Sequence, residues 1–406
     1  MIQTFFYSLF LFVCIIFCIL KKKNIMGILL VSLYFLISIN SLVVIKKELI
    51  NISNITFIPY IYLGLIYFII FLPFFLKNDF SVKKLTYTIN KRYIIFSVVF
   101  IICSLITIKV YYNDVKNLLI TGNWMENRNE LYLGRYVIQY NFIEYCALQF
   151  SNYTKLIATI VGFAMLRSKT NKKINLLGFC NIICFMIVDI MSAINTSSRG
   201  AIVNLFLLIV SMYLFFYKDF NVSKRRFVKI IFCIFLICII PYVISVTFSR
   251  FSSNSTDSLI SYFGMSPVVF NNSVFNITKH LHGAYAFGNL FSKINFRPEM
   301  IGGTWGTNFY TFVGWMYIDW GLIGTFLISI SISFFLFFKI KKKKYYISDI
   351  YIIFFIYYTL LQGTFVIGRD YCYNIVSAIV IYFFLRFIFD KTIFVGIGGD
   401  NEIRKS

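Results

Sequence analysis

The feature that most constrains this chain is a repeating one: stretches of about 20 apolar residues, the length that crosses a bilayer as a helix, alternate with short segments where lysine and arginine gather. No single soluble core can cover that much apolar surface. The 406 residues are 59% hydrophobic and 14% charged, against about 25% charged in ordinary soluble domains, so the chain needs lipid as its solvent. In lipid each backbone amide must be satisfied within its own segment, which leaves the helix as the state of every stretch. The short alternating segments of a β-barrel are absent. The expected fold is all-α, a polytopic integral membrane protein forming one domain over residues 1–406.

Candidate spans are 2–20, 25–45, 56–76, 93–112, 140–166, 174–194, 200–217, 228–248, 312–338, 345–366 and 372–389, about eleven helices at bilayer-crossing length. The first has neither a basic segment before it nor a small-residue cleavage site after it, and reads as a retained span rather than a signal peptide. Alternate connections hold about 25 of the 39 basic residues, in runs such as Lys21–Lys23 and Lys341–Lys344, and cationic loops stay in the cytoplasm. The carboxyl terminus is then expected inside and the amino terminus outside, in a bacterial inner membrane. The longest outward segment, 249–311, is too long for a simple connector. Within it Phe270, Val274, Ile277, Leu281 and Tyr285 recur at helical spacing, with Asn271, Lys279 and His282 off the stripe. That pattern predicts a helix lying in the membrane interface.

The net charge of +23 does not point to nucleic acid, because the lysines sit in short runs between spans rather than on one soluble face. The nine cysteines lie almost entirely in apolar stretches, with no C-x-x-C and no metal spacing. No P-loop, dinucleotide-binding glycine fingerprint, zinc-helix motif or nucleophile elbow occurs. No metal, nucleotide or other cofactor is expected.

Charges at membrane depth are costly, about 2.5–3.5 kcal/mol each on insertion scales. Glu144 and Lys155 lie three helical turns apart in one span, beside Asn141, Tyr145, Gln149 and Asn152. They read either as a polar cavity opening outward or as interhelical bonds with a snorkelling lysine. Asp189 precedes Arg199, with which it would form a structural ion pair; Asp319 opens the ninth span. The arginines Arg128, Arg135, Arg199, Arg250, Arg297 and Arg369 all fall on the outward side, where the positive-inside rule disfavours them. A guanidinium binds phosphate or carboxylate in a bidentate way and stays charged at any working pH, so the set suits a lipid-borne pyrophosphate, with headgroup anchoring as the alternative. His280 and His282 are the only histidines, and an imidazole can serve as general base near neutral pH.

Three features carry a resemblance. Asn195-Thr196-Ser197-Ser198-Arg199-Gly200-Ala201 forms a tight outward turn between two spans. Gly306-Thr307-Asn308-Phe309-Tyr310-Thr311, then Tyr317-Ile318-Asp319-Trp320-Gly321-Leu322-Ile323-Gly324, leads from the large loop into the next span. With the late large loop, these resemble the bacterial O-antigen and capsule repeat-unit polymerases of the Wzy type, although the paired arginine-to-glycine loop motifs of some members are missing. The resemblance implies a metal- and nucleotide-independent glycosyltransferase on the periplasmic face of the inner membrane. Its substrates would be undecaprenyl-pyrophosphate-linked oligosaccharides, and a chain-length regulator protein would be its partner. It further implies that His280, His282, Glu144 or Asp319 serves as the base for the acceptor hydroxyl. Arg135, Arg199, Arg250, Arg297 and Arg369 would hold the pyrophosphate, and Trp305 and Tyr310, with Trp315, would stack on sugars. An O-antigen ligase, with the same donor and a similar late loop, and a lipid-linked oligosaccharide flippase are the competing readings.

Overall fold

A computed structural model describes residues 1–20, 25–49, 55–76, 91–133, 140–167, 172–250, 255–288, 311–341, 345–364 and 371–390. Those residues form helices and no strands: α1 (Ile2–Leu20), α2 (Ile25–Lys46), α3 (Phe57–Leu76), α4 (Lys91–Thr121), α5 (Trp124–Tyr132), α6 (Phe142–Leu166), α7 (Lys172–Asn195), α8 (Arg199–Phe216), α9 (Val222–Arg250), α10 (Ser255–Val269), α11 (Phe312–Lys341), α12 (Ile347–Gln362) and α13 (Tyr371–Phe384). Eight are long and apolar enough to cross a membrane. The chain is an all-α, multi-pass membrane protein, and every range expected to span carries a helix.

Aromatic and hydroxyl side chains hold the bundle together, as expected where lipid supplies no hydrophobic force between helices. The Tyr34 hydroxyl donates to the Leu360 carbonyl at 2.7 Å, and Tyr357 donates to the Met26 carbonyl at 2.8 Å, tying α2 to α12 from both partners. Close approach of α6 and α7 depends on two glycines. A Cβ on Gly178 would stand 2.6 Å from Met165 Cβ and 2.7 Å from the Gly162 carbonyl. Beside them Asn181 donates to Ser97 Oγ at 2.7 Å, joining α4 to the pair.

Helix ends meet in two sets. At one end Lys47 pairs with Asp257, Thr56 and Asn271 exchange two bonds, and the Phe312 amide donates to the Gly363 carbonyl. At the other, Arg167 pairs with Asp219 at 2.9 Å, and Asp390 accepts from Tyr93 and from the Ser348 amide. The chain thus passes back and forth between the two ends.

The segment after α9 departs from expectation. Instead of an interfacial helix over 270–285, α10 runs to Val269, widens into a π-helical turn over Phe270–Val274, and then breaks into successive turns to residue 288. Asn271, read as off the buried stripe, is 1% exposed and bonds the backbone of Thr56 in both directions. Phe270 and Val274 are buried, while Ile277, Leu281 and Tyr285 pack partly buried on the core. The apolar spacing marks a strap folded onto the bundle; beside the stripe Asn271 is buried because backbone partners await it, while Lys279 and His282 stand exposed.

Candidate functional site

The strap meets a broken helix. In α11 the backbone at Gly321 has φ 65° and ψ −170°, a conformation essentially confined to glycine, and the helix is two pieces joined there. A break frees carbonyls at the end of the first piece. One is taken up by the strap: the Leu281 amide donates to the Ile318 carbonyl at 3.0 Å. Asp319, in the last turn before the break, is fully buried. Its Oδ1 accepts from the Tyr285 amide at 3.0 Å, and its Oδ2 from the Ala286 amide at 2.8 Å and the Tyr371 hydroxyl at 3.0 Å. Tyr371 in turn accepts from the Trp320 indole N–H at 2.7 Å, and the Cys372 amide donates to the Ala286 carbonyl. One carboxylate therefore fastens the strap to both α11 and α13. Tyr285 stacks on Trp315, ring centres 4.0 Å apart.

His280 lies against the break. Any Cβ at Gly321 would stand 2.9 Å from its Nε2, and its ring meets Tyr317 edge-on at 5.4 Å. Its Nδ1 is buried with no hydrogen-bond partner among the described residues. His282 is exposed, with φ 50°, and Gly283 (φ 89°) follows it and touches Trp320.

A second cluster surrounds the 195–199 turn. Helix α7 ends with Ser197 at φ 48°, the Ser198 amide donating to the Ala193 carbonyl and the Ser197 amide to the Ile194 carbonyl. This is a Schellman closure with serine in the usual glycine place. Ser198 then caps α8, accepting from the Ala201 amide. Arg199 is thereby turned inward, 8% exposed, with its guanidinium over the Tyr262 ring at 5.1 Å. Arg128 of α5 lies within electrostatic reach of it. Helix α5 is pinned there by Asn127, which donates to the Asn195 carbonyl at 2.7 Å and to Ser197 Oγ, and by Trp124, which donates to Ser245 Oγ.

Among the other sequence candidates, Glu144 forms a capping box with Asn141: its amide donates to Asn141 Oδ1 at 2.8 Å while its Oε2 accepts from the Asn141 amide. Lys155 is paired with Asp189 at 2.9 Å. The sequence had offered Arg199 as the partner of Asp189; the packing of α6 on α7 delivers Lys155 instead. Arg250 ends α9. Arg135, Arg297, Arg369, Trp305 and Tyr310 lie outside the described residues.

Sequence reading did not select Tyr262, Asn127 or Tyr371, and took Trp320 and Gly321 only as part of the Tyr317–Gly324 run that carries the resemblance. Only Gly321 left a signal, a glycine directly after Asp319-Trp320 in an otherwise apolar run. No family model, curated protein or solved structure matches this chain.

Proposed function

We propose that the chain is a lipid-linked glycan polymerase of the O-antigen type. It would join undecaprenyl-pyrophosphate-linked repeat units on the periplasmic face of the inner membrane, with eleven spans, the amino terminus outside and the carboxyl terminus in the cytoplasm. The observation that carries this reading is Arg199, a guanidinium turned inward at the end of the bundle where the strap folds, 8% exposed and over the Tyr262 ring. The 195–199 turn, to which Asn127 of α5 is bonded, fixes it there. A guanidinium held there suits a diphosphate, which it binds in a bidentate way. Such a leaving group gains most from fixed donors where its charge develops.

The strap links the two clusters. Residues 255–288 supply Tyr262 to Arg199 and His280, Tyr285 and Ala286 to the broken helix. In this reading His280, held against Gly321, is the candidate base for the acceptor hydroxyl. Asp319 is a positioning residue, since its oxygens already accept three bonds that hold the strap. Glu144 is assigned to helix capping. Substrate recognition by Arg135, Arg250, Arg297 and Arg369, and sugar stacking by Trp305 and Tyr310, remain parts of the same proposal.

Deletion of the gene should leave surface glycan capped with single repeat units, and Arg199→Ala should reproduce that phenotype with the protein still in the membrane. Full-length polymer from Arg199→Ala at normal protein level would remove the pyrophosphate assignment. Loss of all glycan on deletion would point to ligase or flippase.

A further inference from the structure

Helices α6 to α9 enclose an apolar cavity near the end of the bundle opposite the strap. Leu166, Phe179, Ile182, Ile209, Val228 and Phe232 contribute to its wall, and among the described residues no polar group faces it. Lys224, Val228 and Phe232 follow one another at four-residue spacing on α9 and so share a face. The lining residue Val228 therefore stands one turn inward from Lys224. On α7 the order is the same, with Asn175 one turn before Phe179. The two polar residues meet at the mouth: the Lys224 ammonium donates to Asn175 Oδ1 at 3.1 Å and to the Leu166 carbonyl. Lys172, Lys173 and Arg226 stand exposed beside them. The nearby carboxylate, Asp219, is held by Arg167 at 2.9 Å and so leaves the excess of positive charge at the mouth.

We propose that this is a binding site for an anionic glycerophospholipid, with the phosphate at the Lys224 end and an acyl chain passing along the helices so that only a methylene or two enters the cavity, which is about 30 Å³. The wall excludes water, which would find no hydrogen-bond partner there, whereas acyl methylenes are the solvent in which these helices stand. The mouth selects the headgroup: cationic pockets between spanning helices at the basic edge of a membrane protein recognise acidic lipids. The site lies away from the arginine cluster and does not depend on the glycan chemistry proposed above.

The full chain reconstituted in nanodiscs gives the test. Phe232→Trp places a fluorophore in the wall, and its emission, taken as the difference from the unsubstituted protein, is titrated with brominated phosphatidylglycerol and brominated phosphatidylcholine. Quenching by phosphatidylglycerol is expected at a mole fraction at least fivefold lower. Equal midpoints for the two lipids, or no quenching beyond that of the unsubstituted protein, overturn the site. Combined Lys172→Gln, Lys173→Gln and Arg226→Gln should move the phosphatidylglycerol midpoint toward that of phosphatidylcholine with helix content unchanged; an unmoved midpoint overturns the headgroup assignment. The unsubstituted protein offers a check free of any folding defect: phosphatidylglycerol should raise its Tm in detergent more than phosphatidylcholine does, and an equal rise counts against the proposal.

Discussion

At one end of the bundle Lys172, Lys173, Arg226 and Lys229 stand in the open, each on the first turns of a helix where the chain enters the membrane. At the other end Arg199 and Asp319 are buried, and Asn127 and Asn271 are buried with them. The first set is a collection of exposed charges. The second is a network: the carboxylate of Asp319 accepts from two amides and a tyrosine, and Asn127 bridges a carbonyl and a hydroxyl across two elements. Exposed cations fix which way a helix enters the membrane, and many sequences serve that purpose equally well. Buried polar groups must each find their partners, so they specify one arrangement of chain and no other.

The sharpest way to break this contrast is Asp319→Ala, which strands two buried amides and the Tyr371 hydroxyl. Unfolding free energy in mixed micelles should fall by about 3 kcal/mol. A loss no larger than that from removing an exposed lysine would show that the network lacks energetic content. Next in size is Gly178→Val, where a side chain would meet Met165 and the Gly162 carbonyl of α6. We expect about 2 kcal/mol from overpacking, read from the same titration, with α6 and α7 separating in crosslinking between them. Lys155 and Asp189 lie between the two extremes, their side chains 37% and 11% exposed. A double-mutant cycle with Lys155→Met and Asp189→Asn should return a coupling of about 0.6 kcal/mol or less once screening is allowed for. Lys172→Gln, the smallest, should leave unfolding unchanged while weakening recovery of the intended orientation in a reporter-fusion assay.

Hydropathy made the helices legible, because twenty apolar residues in lipid have one backbone solution. The tight turn at 195–199 was also legible, since Asn195-Thr196-Ser197-Ser198 cannot extend a span. The partner of Asp189 was not. Spacing along one helix says which residues share its face, and nothing about which neighbour that face meets, so Lys155 replaced Arg199 only when α6 packed on α7. The strap escaped for a related reason. Phe270, Val274 and Leu281 do recur at helical spacing, but periodicity registers burial as readily as helix, and the backbone over 275–288 follows turns instead. The break in α11 was hidden because Trp320-Gly321-Leu322 continues an apolar run, and a single glycine inside such a run usually does nothing.

That glycine has a consequence for how this chain can vary. Every single-base change in a glycine codon that alters the residue installs a Cβ, and at position 321 any Cβ meets His280 in a backbone region closed to L-residues. Gly200 has ordinary backbone and open space around it. In a saturation library selected for intact protein, position 321 should be a column with one survivor, while position 200, next to the buried arginine, should admit alanine and serine. A conserved glycine and a dispensable one would then stand at the same end of one bundle, told apart by geometry alone.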